Sequence, residues 1–216
     1  MGKELDTVVL DYGNVLTLPQ KREVVEKIRD ELGCDWKSFE ELYASNRSRL
    51  DAGELDLDSY WKETLKSHGY EAGPERVRRF AELDRESWSS MNRVMLNWVE
   101  KLRSAGYRTV LLTNMPADFF RLKVADAPWY GSFDAGIISG LIGMVKPHRE
   151  IYEHLVSVSG TAPERTLFLD DLEPNIAGAR ALGLEAVLFR SAEETLPFVA
   201  QEYGLPNGHE AKDELF

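Results

Sequence analysis

The sequence has a single cysteine, no long apolar run and a deficit of positive charge. Cys34 stands alone among 216 residues, which excludes an internal disulfide and a cysteine-based metal cluster. All apolar stretches are far shorter than the ~20 residues that a membrane span requires. No charged-then-apolar leader precedes the first predicted strand, so we expect a cytoplasmic protein. The net charge of -11 argues against nucleic acid and membranes as partners.

Three short apolar runs, each ending on polar residues, are the most informative feature that is present. They are residues 8–10 before Asp11, residues 109–112 before Thr113 and Asn114, and residues 166–169 before Asp170 and Asp171. Such β-branched runs are typical of buried strands in a parallel sheet. Ligands bind beyond the carboxyl ends of such strands. The sequence therefore predicts a site at this edge.

The order of elements predicts an α/β fold, a doubly wound Rossmann-like parallel sheet with an inserted four-helix cap domain. The catalytic core would comprise residues 1–18 and 93–206, and the helical cap residues 19–92. Residues 207–216 would form a flexible tail. Because the insertion leaves and rejoins the same sheet edge, we expect it to lie over the site as a lid.

Within the core, helices and strands alternate along the chain. Helices are predicted near 94–105, 149–158, 174–182 and 193–203, and strands near 108–112, 135–139, 166–169 and 185–189.

The carboxylates at the predicted sheet edge favour a metal site. Asp11 could act as a nucleophile or bind a hard cation. Placed together, Asp11, Asp170 and Asp171 would repel one another and raise one another's pKa values. A divalent cation relieves that repulsion, and ligation by oxygen alone favours Mg²⁺.

Three further residues complete a set suited to phosphoryl transfer. Lys146, just before Pro147, supplies a compact positive charge that could hold the nucleophile and counter developing charge. Thr113 and Asn114 could donate hydrogen bonds to a tetrahedral anion. Nucleophile, metal, lysine and hydroxyl together predict transfer through an aspartyl-phosphate.

In order and placement these residues resemble the four motifs of the haloacid dehalogenase-like (HAD) hydrolase superfamily. The motifs are Leu10-Asp11-Tyr12-Gly13-Asn14, Leu112-Thr113-Asn114, Lys146-Pro147 and Leu169-Asp170-Asp171. The most similar branch contains sugar-phosphate phosphatases and phosphatase domains like the N-terminal part of soluble epoxide hydrolases.

The resemblance implies a role for each matching residue. Asp11 would be the nucleophile and a Mg²⁺ ligand, and the backbone carbonyl of Gly13 another ligand. Asp170 would bind the metal directly and Asp171 through water. Thr113 and Lys146 would hold the transferring phosphoryl group.

One position departs from the family pattern. Most family phosphatases have a second aspartate where this chain has Gly13, and that aspartate serves as general acid and then as base. Such catalysis is typically worth about 10²–10⁴-fold. The chain would therefore be slow, select substrates with good leaving groups, or recruit another group.

We interpret the chain as a Mg²⁺-dependent phosphomonoester hydrolase of a small phosphorylated metabolite, with sugar phosphates the best guess. One alternative is a phosphate-binding or regulatory protein with little turnover, and another is a 2-haloacid dehalogenase, for which Asp170 and Asp171 would be surplus. The oligomeric state stays open. Arg47 and Arg49 could reach a phosphate or a sugar, but we favour a solvated helix face. Asn175 could contact the Asp170 loop, but a helix start is enough to explain it.

Overall fold

Five parallel strands form the centre of the protein in the computed structural model, which describes residues 4–208. They are β1 (Thr7–Leu10), β2 (Arg108–Thr113), β3 (Ala135–Ile138), β4 (Thr166–Asp170) and β5 (Glu185–Leu188). Their order across the sheet is β3-β2-β1-β4-β5. The chain first builds outward from β1 through β2 to β3 and then returns to build β4 and β5 on the other side. This confirms the doubly wound α/β fold.

Alternation along β1 shows how the sheet is covered on both faces. Val8 and Leu10 belong to one hydrophobic cluster, and Val9 between them belongs to another. Successive side chains of a strand point to opposite faces, so a fully apolar strand needs a layer on each side. All four residues of β1 are buried.

Helices supply both layers. In the core they are α6 (Arg93–Ser104), α7 (Ala117–Phe119), α8 (Ser139–Ile142), α9 (Arg149–Ser159), α10 (Glu173–Ala181) and α11 (Ala192–Tyr203). Helices α6 and α11 pack on the face of Val8 and Leu10, whereas α9 and α10 pack on the face of Val9. Shorter turns complete the connections at Phe120–Val124, Pro128–Ser132 and Pro163–Arg165. The predicted core helices and strands agree with the structure to within one residue at each end.

The segment between β1 and α6 is helical and has a hydrophobic cluster of its own. Its helices, all within the part of the chain that the structure describes, are α1 (Arg22–Leu32), α2 (Trp36–Ala44), α3 (Arg47–Asp51), α4 (Leu57–Ser67) and α5 (Pro74–Ser87). The prediction of four helices is wrong by one, because α3 has five residues and buries only Leu50. A single turn with one buried residue shows no helical periodicity in the sequence. We call α1–α5 the helical insertion.

The helical insertion is joined to the core by two chain segments that run side by side. The Leu18 N–H donates to the Ser90 carbonyl at 2.8 Å, and the Asn92 N–H donates to the Leu16 carbonyl at 2.8 Å. A third contact lies far from these connections, where the Ser139 hydroxyl donates to the Asp51 carbonyl at 2.6 Å. Asp118 of α7 adds two more contacts, because its carboxylate accepts from the Leu57 N–H at 3.3 Å and pairs with Arg85 at 3.4 Å. The insertion is therefore held to the core by side-chain contacts as well as by its two connections.

The C-terminal part of the chain packs against α6. The Trp98 indole N–H donates to the Pro206 carbonyl at 2.7 Å. The predicted flexible tail, 207–216, lies outside the described residues except for 207 and 208. Among the described helices, none combines the length and the apolar character that crossing a lipid bilayer demands.

Candidate active site

The sheet delivers three of the predicted site residues to one edge. Asp11 follows β1 directly, Thr113 ends β2 and Asp170 ends β4. Strand β1 lies between β2 and β4, with Leu10 level with Leu111 and Leu169. The sheet order reverses between β1 and β4, and such a switch point opens a crevice at the carboxyl ends of the strands.

Lys146 lies between two of these carboxylates and is buried. Its Nζ is 2.7 Å from Asp11 Oδ1 and 2.6 Å from Asp170 Oδ2, and it donates to the Leu112 carbonyl at 3.2 Å. An ammonium group has three hydrogens, so these contacts engage each of them. Lys146 holds Asp11 and Asp170 together, and contact with a phosphoryl oxygen would require exchange of one of these bonds.

The surroundings of Asp11 favour its neutral form. Burial raises the pKa of Asp11 to about 7, against the lowering effect of Lys146, and the neighbouring Asp170 charge adds to the rise. Burial also raises the pKa of Asp171. For Lys146, burial alone would lower the pKa, but the Asp11 and Asp170 charges outweigh it and the pKa is raised. Lys146 alone therefore does not balance the carboxylates at this edge of the sheet.

Three carboxylates form a set that could hold a metal ion. Asp11, Asp170 and Asp171 each offer an oxygen, and these atoms lie within 4.8 Å of one another. Against one lysine, three ionised carboxylates carry a net charge of −2, which a divalent cation would balance. Oxygen donors alone suit a hard cation. The residues present therefore fit such an ion.

Asp170 is held in position by the start of α10. Its Oδ1 accepts from the Leu172 N–H at 2.9 Å and from the Asn175 side-chain amide at 2.9 Å. These bonds and the contact of Oδ2 with Lys146 fix the carboxylate on both sides. Asn175 is buried, and its contact with Asp170 is the less favoured of the two interpretations that the sequence allowed.

The side chain of Asn114 positions Lys146 by hydrogen bonds to the Lys146 backbone. Its side-chain oxygen accepts from the Lys146 N–H at 2.8 Å, and its amide donates to the Lys146 carbonyl at 2.9 Å. We expected this amide to donate to a bound anion, but the backbone of Lys146 already engages both its oxygen and its nitrogen. Thr113 is buried and lines the pocket beside it.

The loop after β1 is fixed by Asn14 and carries Gly13 towards the pocket. Asn14 adopts a left-handed conformation with φ 57°, which asparagine tolerates better than most residues. Its side-chain amide donates to Asp171 Oδ2 at 2.8 Å, and its N–H donates to the Thr17 hydroxyl at 3.0 Å. Gly13 has φ −62° and ψ 133°, angles open to any residue. No backbone demand therefore explains a glycine here.

A pocket of about 230 Å³ lies between the sheet edge and the helical insertion. The helical insertion contributes Arg47, Asp51, Leu57 and Asp84, and Trp88 follows directly after α5. The lining residues on the core side include Asp11, Tyr12, Gly13, Asn14, Thr113, Asn114, Met115, Phe119, Lys146, Asp171 and Asn175. Tyr12 stacks on Trp129 with ring centroids 5.9 Å apart and closes one side. The pocket thus has a charged floor and a wall of mixed character.

Arg47 is a pocket residue that sequence reasoning assigned to a solvated face. Its side chain is 27% exposed and ion-paired, Nε to Asp51 Oδ1 at 3.3 Å and Nη1 to Asp84 Oδ2 at 3.7 Å. For Arg47 the interpretation is therefore wrong. Arg49 does fit it, because its side chain is 43% exposed and pairs with Glu54 and Glu63, which are more exposed still.

Comparison with known proteins gives a family and named relatives. A protein-family model described as haloacid dehalogenase-like hydrolase matches residues 5–183. A ribulose-1,5-bisphosphate 5-phosphatase from Halopiger xanaduensis is 28% identical over 180 residues, which are 76% of this chain and 74% of that protein. A sesquiterpene phosphatase, astK, from Aspergillus oryzae is 35% identical over 91 residues, 42% of this chain and 46% of that protein. The chain spans less than half the length of several curated relatives that it matches.

Solved structures share the fold. One is the HAD family enzyme bt-2542 from Bacteroides thetaiotaomicron, in complex with magnesium and inorganic phosphate. It is 20% identical, with a TM-score of 0.66, over 86% of this chain and 94% of that chain.

Proposed function

The chain belongs to the haloacid dehalogenase-like hydrolase family, and we propose that it is a Mg²⁺-dependent phosphomonoester hydrolase acting through an aspartyl-phosphate at Asp11. The observation that carries this proposal is the contact of Lys146 with Asp11 and Asp170 beside a third carboxylate, Asp171. A nucleophile, a fixed cation and an all-oxygen metal site at one sheet edge serve phosphoryl transfer. The proposed substrate is a small phosphorylated metabolite of the sugar-phosphate class.

In the proposed reaction an oxygen of Asp11 attacks phosphorus and the leaving-group oxygen departs. Thr113 would donate a hydrogen bond to a phosphoryl oxygen, and Lys146 would keep Asp11 oriented and its charge partly balanced. Asp11, Asp170, Asp171 and the Gly13 carbonyl would hold Mg²⁺, which when bound neutralises charge on the phosphoryl oxygens. Water then attacks phosphorus and restores the Asp11 carboxylate.

The relatives support this choice among the family's reactions. Two of them are named as phosphatases, and one structure of the same fold is a complex with magnesium and inorganic phosphate. A 2-haloacid dehalogenase would leave Asp170 and Asp171 without a metal to bind. The phosphatase proposal gives every charged group of the pocket floor a task.

The first test is phosphate release from p-nitrophenyl phosphate, a substrate whose leaving group needs no proton donor. We expect turnover with Mg²⁺, loss of turnover with a chelator, and recovery when Mg²⁺ is restored. Release of halide from a 2-haloacid without metal would instead identify a dehalogenase. A stable beryllofluoride adduct at Asp11 without any steady-state release of phosphate would identify a binding protein.

We expect Mg²⁺ to bind more tightly at higher pH. Metal ligands must be deprotonated, and burial raises the pKa of Asp11 to about 7 and also raises that of Asp171. Protons therefore compete with the metal below neutral pH, and the dissociation constant should fall by about tenfold between about pH 6 and pH 8. Calorimetric titration of the metal-free protein in buffers of different ionisation enthalpy measures both the affinity and the protons released. An affinity independent of pH would contradict this expectation.

A further inference from the structure

Gly13, at the position on the β1 loop where most family phosphatases have the acid–base aspartate, has no ionisable side chain. When the P–O bond of an alkyl phosphate breaks, the leaving group departs as a high-energy alkoxide unless its oxygen receives a proton. The opposite wall, formed by the helical insertion, carries two carboxyl groups that line the same pocket, Asp51 and Asp84.

We propose that the Asp51 carboxyl donates the proton to the leaving-group oxygen and then accepts one from the attacking water, the task that Gly13 cannot perform. This inference rests on the proposed phosphatase function. It deepens that function by naming its acid–base residue.

Asp51 is held over the core by backbone contacts. The Ser139 hydroxyl donates to the Asp51 carbonyl at 2.6 Å and accepts from the Met115 N–H at 2.9 Å. Two residues further on, a Cβ on Gly53 would collide with the Gly140 carbonyl oxygen. The end of α3 therefore packs backbone to backbone on the core, and Asp51 has a fixed position above the sheet edge.

The side chain of Asp51 has one buried oxygen beside Arg47 and is partly exposed to the pocket. Oδ1 is buried and 3.3 Å from Arg47 Nε. The side chain is nevertheless 16% exposed and lines the pocket, so its exposure belongs to atoms other than Oδ1. A carboxyl with one oxygen anchored by an arginine and the other accessible can transfer a proton to a bound substrate.

Two other pocket groups fit the task less well. Asp84 is only 2% exposed: its Oδ1 accepts from the Tyr43 hydroxyl at 2.7 Å, and its Oδ2 is buried 3.7 Å from Arg47 Nη1, so a substrate has little access to this carboxyl. Tyr12 donates its hydroxyl proton to the Trp88 carbonyl at 3.2 Å. Burial raises the pKa of Tyr12 to about 12, which makes it a weak acid near neutral pH.

The charges around Asp51 allow it to hold a proton. Burial raises the pKa of Asp51, and the Asp84 charge raises it further, while Arg47 and Lys146 lower it. The net result is a pKa above the usual range for aspartate. A raised value brings a carboxylic acid closer to the working pH, where general acids are most effective.

Each half of the reaction balances with these groups. In the first half, Asp11 forms a bond to phosphorus, the bond from phosphorus to the leaving oxygen breaks, and the Asp51 proton passes to that oxygen. In the second half, the Asp51 carboxylate takes a proton from water as the water oxygen binds phosphorus. The bond to Asp11 then breaks with its electron pair, which releases phosphate and restores both aspartates.

The test compares phosphate esters of similar size but different leaving group: p-nitrophenyl, phenyl and benzyl phosphate. The quantity measured is kcat/KM, because it reports the step in which the leaving group departs. In the wild-type protein a working proton donor makes kcat/KM nearly independent of the leaving group. In Asp51→Asn we expect kcat/KM for benzyl phosphate to fall by about 10²-fold or more, with a far smaller loss for p-nitrophenyl phosphate.

Asp84→Asn is the matched control, because Asp84 contacts the same arginine and undergoes the same chemical change. We expect it to lower kcat/KM for every ester by a similar factor. A rescue variant adds Gly13→Asp to Asp51→Asn and should restore benzyl phosphate turnover. The Gly13 backbone accepts any residue, and a Cβ there would be 3.6 Å from the Trp88 ring, an ordinary contact. A purely structural role of Asp51 could not be rescued in this way.

The outcomes separate this inference from the function on which it rests. A steep dependence on the leaving group in the wild-type protein overturns the role of Asp51 without any variant. An equal loss for all esters in Asp51→Asn, or absence of rescue, also overturns it. In each of these cases Mg²⁺-dependent turnover of p-nitrophenyl phosphate persists. Its absence in the wild-type protein would contradict the phosphatase proposal itself.

Discussion

Replacing Asp11 with asparagine should lower kcat by at least about 10⁴-fold, a loss typical of removing a nucleophile. The amide has the shape of the carboxyl but cannot form the bond to phosphorus. Because Asp11 is buried directly after β1 and 2.7 Å from Lys146, water cannot easily take its place. The measurement is steady-state phosphate release from p-nitrophenyl phosphate at saturating Mg²⁺.

The same variant should stay folded. Its loss of activity can then be assigned to the missing nucleophile and not to unfolding. The folded-state pKa of Asp11, about 7, lies above the ordinary value of 3.8. A raised acid pKa means that the native state binds more protons, so its stabilising contribution is complete at low pH and lost as pH rises through about 7. Without metal at about pH 8, Asp11→Asn should therefore melt at or above the wild-type temperature. An inactive variant that melts well below the wild-type protein would leave the nucleophile assignment without support.

The sheet could be predicted from the sequence because each buried strand shows itself as a short apolar run within a single segment of the chain. Fully buried parallel strands need apolar residues on both faces, and β1, β2 and β4 show such runs. Once the strands are parallel and adjacent, the residue after each one must lie at the same edge. The meeting of Asp11 with Asp170 follows from that rule.

The contact that fixes the backbone of Lys146 could not be predicted because it joins distant parts of the chain. Asn114 bonds both backbone groups of Lys146, 32 residues further on. Asn175, in the first turn of α10, contacts Asp170 at the end of β4. The sequence allowed this contact, but a helix start explains the same residue equally well. A side-chain amide carries no sequence signal for its partner.

The orientation of α3, which brings Arg47 and Asp51 to the pocket, could not be predicted from the sequence either. Arg47 and Asp51 are one turn apart, and such a pair usually lies on a solvated helix surface. The direction in which α3 faces is set by the contact of Asp51 with Ser139, a residue that follows β3. A five-residue helix has too few apolar positions to reveal its orientation.

Lys146→Met is expected to destabilise the metal-free protein strongly. The substitution leaves Asp11 and Asp170 facing each other without the cation that contacts both at 2.7 and 2.6 Å. Removing one partner of a buried ion pair typically costs about 3–5 kcal/mol of unfolding free energy. Turnover should fall as well, by about 10²–10³-fold, because a fixed charge that assists the transferring group is lost.

The pH dependence identifies the cause of that destabilisation. Without Lys146, the pKa of Asp11 should rise further, so the native state can keep the Asp11 proton at low pH but must ionise or unfold as pH increases. The loss should therefore be larger at about pH 8 than at about pH 5, and saturating Mg²⁺ should reduce it by pairing with the same carboxylates. Urea unfolding at both pH values, with and without metal, measures these differences. The matched control is Lys62→Met on the exposed face of α4, for which a change within about 0.5 kcal/mol is expected. A destabilisation by Lys146→Met that is the same at both pH values and indifferent to Mg²⁺ would mean that lost packing, rather than unpaired charge, is responsible.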